Sequence, residues 1–141
     1  MRAERVVVDT NVLISAALRP VSTTRAVVDA IRQARGVLLF ANETIQELHS
    51  RLLGTKFDRY VSRTTRAQFL VQLLGVSERV SITGAKLGCT DPKDDKFLET
   101  ATIGGADCLT SGDRHLLDMT PFDGVPVLTP AAFLNWFAAP S

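Results

Sequence analysis

Short runs of aliphatic residues alternate along the chain with longer segments in which apolar residues recur every three or four positions. Runs of the first kind are typical of strands buried in a parallel sheet, and segments of the second kind are typical of helices that cover such a sheet. The pattern predicts strands at 5–9, 37–40, 79–82, 107–110 and 125–128. It predicts helices at 12–18, from 22–24 to Gly36, at 42–53, from 64–65 to 74, at 94–103 and at 130–138.

This order of elements predicts an α/β fold with three layers, α/β/α, around a mainly parallel central sheet of about five strands. The 141 residues are the length of one domain, so we expect a single domain over 1–141. Apolar residues make up 45% of the chain and charged residues 22%, which is typical of a globular protein and not of a disordered one.

The sequence also restricts the compartment in which the protein works. No apolar run approaches the roughly 20 residues that a membrane-spanning helix needs, so we expect no membrane partner. The two cysteines, Cys89 and Cys108, are too few for a disulfide framework and are expected to be small apolar residues with reduced thiols. A cytoplasmic protein fits both observations.

Charge is divided unevenly along the chain, although the formal net charge is only +1. Residues 1–79 carry a net charge of +5, and residues 80–141 carry a net charge of −4. A net charge near zero excludes binding of nucleic acid by bulk charge alone. The asymmetry allows one face to hold an anionic polymer and another to hold cations.

Acidic residues lie near the carboxyl ends of the predicted strands. In parallel α/β sheets this edge carries the functional site. Carboxylates that share a cleft repel one another, so such a site favours a hard divalent cation that takes oxygen ligands and keeps positions open for water and phosphate. The acids come from four segments: Asp9 after the first strand, Glu47 after the second, Asp91, Asp94 and Asp95 at the helix before the fourth, and Asp113 after the fourth.

Four stretches of the sequence, in this order, resemble the PIN domain, and the resemblance extends from residue 4 to about 137. They are VDTNVL at 8–13, Glu47, DPKDDKFL at 91–98 and LTSGD at 109–113. Within that family the chain is similar to VapC-type ribonucleases, the toxins of toxin–antitoxin pairs. The resemblance implies the PIN-like fold and an endoribonuclease that depends on Mg²⁺ or Mn²⁺.

The resemblance also implies a role for individual residues. Asp9, Glu47, Asp95 and Asp113 match the four acids of the family, with Asp91 and Asp94 as alternatives to Asp95 for the third position. Asp9 and Asp95 would bind the metal directly, while Glu47 and Asp113 would hold metal-bound waters or a second ion. Asn11 and either Thr110 or Ser111 would orient these carboxylates and the phosphate by hydrogen bonds.

A basic segment offers a surface for RNA. Five cations fall in sixteen residues beside one acid, with Phe57 and Tyr60 between them. Cations neutralise phosphates, and aromatic rings stack unpaired bases. The candidate substrate-binding residues are Arg51, Lys56, Arg59, Arg63 and Arg66.

The partners expected for this chain are RNA, a small antitoxin protein implied by the resemblance, and a second copy of the chain in a homodimer. Two other acidic α/β classes are excluded. A haloacid-dehalogenase phosphatase needs a second Asp where this chain has Asn11, and a receiver domain needs adjacent acids near the first strand and a late Lys. A non-catalytic PIN-fold module that binds protein or RNA is the alternative to a nuclease.

Overall fold

A computed structural model of the chain describes residues 4–138. Its centre is a five-stranded sheet in the order β3-β2-β1-β4-β5, and every pair of neighbouring strands is parallel. This architecture confirms the predicted α/β fold, and the sheet is wholly parallel where a mainly parallel one was expected. The strands are β1 Arg5–Val8, β2 Val37–Phe40, β3 Ser77–Arg79, β4 Cys108–Thr110 and β5 Val127–Leu128.

Helices cover both faces of the sheet, so that the core forms two layers of apolar side chains. The larger layer lies between the sheet and α1, α2, α3, α4 and α7, and the smaller one lies between the sheet and α5 and α6. The described helices are α1 Thr10–Leu18, α2 Thr23–Gln33, α3 Asn42–Leu52, α4 Arg63–Gly75, α5 Asp95–Ile103, α6 Arg114–Leu117 and α7 Pro130–Ala138.

Successive residues of the central strands point to opposite layers, which explains why these strands are mostly apolar. In β1, Val6 and Val8 pack in the larger layer and Val7 packs in the smaller one. In β2, Leu38 and Leu39 divide between the layers in the same way. A strand with helices on both sides needs apolar residues at every position.

Several element boundaries differ from the prediction. The third strand was predicted at 79–82, but β3 is Ser77–Arg79, because its hydrogen bonds to β2 begin where α4 ends. Helix α4 begins at Arg63 and not after Thr64 or Thr65, since the Ser62 hydroxyl accepts the N–H of Thr65 and caps the helix. The short helix α6 was not predicted.

The order of the strands determines where a site can form. From β1 the chain proceeds through β2 to β3 on one side of the sheet, and then crosses to β4 and β5 on the other. The direction in which the chain advances across the sheet therefore reverses between β1 and β4, and we call this place the reversal point. The crevice beyond the carboxyl ends of two such strands is the usual ligand site of an open α/β sheet. In the described part of the chain no helix is long and apolar enough to cross a membrane.

Candidate active site

Asp9 follows β1 at the reversal point, and its carboxylate is fixed from two sides. It caps α1, because its Oδ1 accepts the N–H of Val12 at 3.1 Å. Its Oδ2 accepts the hydroxyl of Ser111, which follows β4. Asp9 is 4% exposed, and this burial raises the pKa of its carboxyl, although the bonds from Ser111 and Val12 offset part of the rise.

Asp113 stands on the other side of the reversal point, two residues beyond Ser111. Its N–H donates to the Ser111 hydroxyl at 2.9 Å, and its Oδ1 accepts the N–H of His115 at 2.8 Å as the cap of α6. The Ser111 hydroxyl therefore connects the Asp9 carboxylate with the backbone of Asp113. Thr110 contributes through its carbonyl, which accepts the N–H of Asp9 at 3.0 Å.

Asp94 places a third carboxyl next to that of Asp113. It ends the short 3-10 turn Pro92–Asp94, which precedes α5. Burial, the hydrogen bond that it can share with Asp113 and the charge of Asp113 raise the pKa of Asp94 to about 6. Its Oδ2 is buried and accepts no hydrogen bond from any group of residues 4–138. Two acids in contact and an unpartnered carboxylate oxygen form an arrangement that a bound cation would stabilise.

Glu47 lies on α3, lines the same cleft and is oriented by two groups. The Thr10 hydroxyl donates to its Oε2, and the Lys96 ammonium lies 3.2 Å from its Oε1. Thr10 and Lys96 were not predicted as site residues. Both lie inside the sequence motifs that resemble the PIN domain, and this location was the signal by which they could have been identified.

Asn11 does not orient a carboxylate through its side chain. Its Oδ1 accepts a hydrogen bond from the Arg51 guanidinium, across the mouth of the same cleft. Arg51 therefore places a positive charge at the rim of an acidic site, where a phosphate group could be held.

These side chains enclose a cleft of about 30 Å³, the space of one or two waters. We call it the acidic cleft. Among residues 4–138, no three His, Cys, Asp or Glu side chains already form a ligand set around a point. Mg²⁺ needs only one or two carboxylates and retains waters for its other positions, so the donor set fits such an ion. The cleft is lined by Asp9, Thr10, Asn11, Glu47, Arg51, Asp94, Phe97 and Asp113.

Asp95, predicted as the third acid, does not line the acidic cleft. It lies on the buried face of α5, and its two oxygens accept the N–H groups of Leu87 and Cys89 at 2.9 and 3.0 Å. Glu99, one turn later, accepts the N–H groups of residues 83–85. Asp95 and Glu99 therefore hold the loop between β3 and α5, and the acid of this segment that faces the cleft is Asp94.

Arg66, predicted to contact substrate, is fully buried and is not available to a phosphate. Its guanidinium donates to the carbonyls of Leu52, Gly54 and Val61 and pairs with Asp58. It holds together the segment between α3 and α4. The remaining cations of the basic segment, Arg51, Lys56, Arg59 and Arg63, are exposed.

The raised pKa of Asp94 predicts a specific pH dependence of stability. An acid whose folded-state pKa is about 6, against an ordinary 3.8, takes up its proton in the folded state first. The metal-free protein should therefore gain stability from this group as the pH falls from 7 through 6 to about 4. Melting temperatures in EDTA measure this, with Asp94→Asn as the reference. The difference in melting temperature, parent minus variant, should increase as the pH falls from 7 to about 4. A constant difference would contradict the shift.

One protein family and two individual proteins resemble this chain. A family model described as PIN domain matches residues 5–115. The uncharacterised protein MJ1680 of Methanocaldococcus jannaschii is 28% identical over 116 residues, which cover 82% of this chain and 74% of that protein. The crystal structure of PAE2754 from Pyrobaculum aerophilum has a similar fold, with a TM-score of 0.64 and 19% identity, covering 98% of this chain and 91% of that one.

Proposed function

The chain belongs to the PIN domain family, and from that premise we propose that it is an endoribonuclease that depends on Mg²⁺ or Mn²⁺. PIN domains are generally nucleases and typically use divalent metals. One observation carries the proposal for this chain. The carboxyl groups of Asp9, Glu47, Asp94 and Asp113 line one cleft, and Asp94 lies against Asp113 with a buried oxygen that has no hydrogen-bond partner among residues 4–138.

The residues that would hold the ion are Asp9, Asp94 and Asp113, with Glu47 in the lining of the same cleft. A divalent ion bound there would neutralise the acids, lower the pKa of a coordinated water and stabilise the charge of the phosphoryl transition state. Residues behind the acids limit their movement. Ser111 fixes the Asp9 carboxylate, while Thr10 and Lys96 fix Glu47.

The substrate in this proposal is an RNA strand whose scissile phosphate enters the acidic cleft. Arg51, held by Asn11 at the rim, would contact that phosphate and partly offset the charge of the acids. Exposed Lys56, Arg59 and Arg63 would hold neighbouring phosphates. A rim of cations around an acidic centre lets one small domain attract both a polyanion and a divalent cation.

The decisive experiment measures RNA cleavage and metal binding on the same preparation. An unstructured RNA should be cut with Mn²⁺ or Mg²⁺ and left intact in EDTA. The ion should also raise the melting temperature, since a ligand at a hundredfold excess over its Kd adds about 2.7 kcal/mol to the free energy of unfolding. A metal-induced rise without cleavage would favour the non-catalytic RNA- or protein-binding module. Cleavage that EDTA leaves unchanged would contradict the proposal.

The basic segment gives a prediction about RNA binding that does not require cleavage. Replacing Lys56, Arg59 and Arg63 together by Ala should weaken binding and flatten its dependence on salt. Each phosphate contact that is lost should lower the slope of log K against log salt concentration by about 0.7 on a single strand. Titrations at several salt concentrations measure this, with a double Ala variant of exposed Arg32 and Lys86 as the control. If both variants keep the parental slope, the segment does not contact phosphate.

The biological role within this proposal is that of the toxin of a toxin–antitoxin pair, acting as a cytoplasmic homodimer. The sequence resemblance supports this role, and the acidic cleft would accept a cationic side chain of an antitoxin. Co-expression with a small protein encoded next to this chain should give a complex in which cleavage is suppressed. Separate elution of the two proteins at micromolar concentration would remove the toxin role and leave the nuclease proposal intact.

A further inference from the structure

Within residues 4–138, Glu47 is the one acid of the acidic cleft that is paired with a cationic side chain. The Lys96 ammonium lies 3.2 Å from its Oε1, and the Thr10 hydroxyl donates to its Oε2. Asp94 is in the opposite condition, because its buried Oδ2 has no hydrogen-bond partner in the same part of the chain. The protein itself therefore compensates the charge of Glu47, whereas Asp94 has an oxygen to offer to an ion.

Lys96 is held by more than its ion pair. Its ammonium donates to the carbonyl of Lys93 at 2.6 Å and lies 5.2 Å from the centre of the Phe97 ring, which lines the cleft. The side chain is only 20% exposed, although lysines are mostly found at the surface. Burial and Asp113 raise the pKa of Asp94, and the charge of Lys96 lowers it. The ammonium is thus a fixed positive charge that acts on acids from two different segments.

The charges around the cleft come to balance with a single divalent ion. Four carboxylates and Arg51 line the cleft, and Lys96 adds a second positive charge through its ion pair with Glu47. With every acid ionised the net charge is −2, which one divalent ion neutralises and a second would reverse. The volume of the cleft, about 30 Å³, also favours one ion, because the two ions of a two-metal site stand about 3.5–4 Å apart.

We propose that the Lys96 ammonium serves as the second cation of the acidic cleft, so that this chain takes one divalent ion although four acids are present. This role rests on the metal-dependent nuclease function proposed above and specifies how many ions that function uses. Lys96 is then a positioning residue, which acts through Glu47. It keeps Glu47 out of the ligand set and holds it as a fixed charge in the lining of the cleft. The ion is left to the three aspartates.

Replacing Lys96 by Met should have opposite effects on metal binding and on cleavage. Met keeps the length of the side chain and removes its charge, so the cleft becomes more negative and should bind Mn²⁺ about threefold to tenfold more tightly. Glu47 loses the group that orients its Oε1, so RNA cleavage at saturating Mn²⁺ should become about tenfold to a hundredfold slower. A residue that only supports the fold would weaken both.

Isothermal titration calorimetry of the metal-free protein with Mn²⁺ measures the number of ions and their affinity without any RNA. The parent should bind one Mn²⁺ per chain. Lys96→Gln, a second neutral replacement, should bind Mn²⁺ more tightly as Lys96→Met does, while Lys96→Arg keeps the charge and should retain the parental affinity. Lys93→Met is the matched control, because it removes an exposed lysine three residues earlier and changes the net charge equally. It should behave as the parent does in both assays.

Two Mn²⁺ ions bound to each parent chain would overturn the role of Lys96, and this count requires no variant. Equal or weaker binding of Mn²⁺ by the neutral variants would overturn it as well. Failure of the proposed function has a different signature. A parent that binds one Mn²⁺ but leaves RNA intact is not a nuclease, and the affinities of the variants still decide whether Lys96 acts as a cation of the cleft. A parent that binds no Mn²⁺ contradicts both proposals.

Discussion

Asp94→Asn is expected to remove metal-dependent cleavage while leaving the metal-free fold at least as stable as the parent. The substitution keeps the shape of the side chain and removes one of two acids that repel each other at the reversal point. Loss of a residue that only orients a ligand costs about 10–100-fold in metal affinity or activity, so loss of a ligand should cost about a hundredfold or more. The rise in melting temperature with Mn²⁺ should disappear as well.

Asp95→Asn is the informative companion, because the two residues are adjacent and chemically identical. Its carboxylate accepts two backbone N–H groups, from Leu87 and Cys89, and an amide retains only one acceptor oxygen. An unsatisfied buried donor costs about 1–3 kcal/mol, so this variant should melt several degrees lower than the parent without metal. Its response to Mn²⁺ should persist.

The pair of variants therefore assigns the third acid by two independent measurements, melting without metal and the shift on adding Mn²⁺. The opposite pattern, in which Asp94→Asn responds to Mn²⁺ and Asp95→Asn does not, would return the third position to Asp95. Activity alone would not separate these cases, since a loosened loop beside the cleft also slows cleavage.

The fold was predictable from the sequence because its strands are buried on both faces. Uninterrupted apolar runs such as 6–8 and 37–40 have few structural alternatives in a chain that alternates them with amphipathic helices. The third strand was less predictable, since Ser77–Arg79 is polar and lies at the edge of the sheet. Its identity depends on pairing with β2, which no local pattern reveals.

The acid cluster was predictable as a group but not residue by residue. Helical spacing from Leu98 and Ala101 selects Asp95, because these residues share the buried face of α5. A carboxylate on a buried helix face, however, must be satisfied by nearby donors, and here the backbone of the preceding loop supplies them. The acid that remains available to a cation is Asp94, which precedes the α-helix and makes no side-chain capping bond.

Arg66 illustrates the same difficulty with the opposite charge. An arginine in a basic segment is expected to be solvent-exposed, yet Arg66 stands one helical turn before Phe69 and Leu70 and two turns before Leu73, on the buried face of α4. That spacing was a signal for burial. The partners could not be inferred, because the carbonyls of Leu52 and Gly54 belong to the end of a different helix.

Arg66→Met is accordingly expected to cause the largest loss of stability of any single substitution proposed for this chain. Methionine retains much of the volume but donates no hydrogen bond, so the carbonyls of Leu52 and Val61 lose the guanidinium, and that of Gly54 keeps only the N–H of Phe57. At about 1–3 kcal/mol for a buried acceptor left unsatisfied, and less for the two partly buried carbonyls, the free energy of unfolding should fall by about 3 kcal/mol. Urea denaturation of the metal-free protein measures this difference directly.

Two matched variants separate the carbonyl contacts from charge. Arg63→Met removes an exposed arginine three residues earlier and should change the free energy of unfolding by less than about 0.5 kcal/mol. Asp58→Asn removes only the ion pair of Arg66, whose acid is half exposed, and should cost about 1 kcal/mol or less. If Arg66→Met is no more destabilising than Arg63→Met, then Arg66 does not hold the segment between α3 and α4. Arg66 would then again be a candidate for binding RNA.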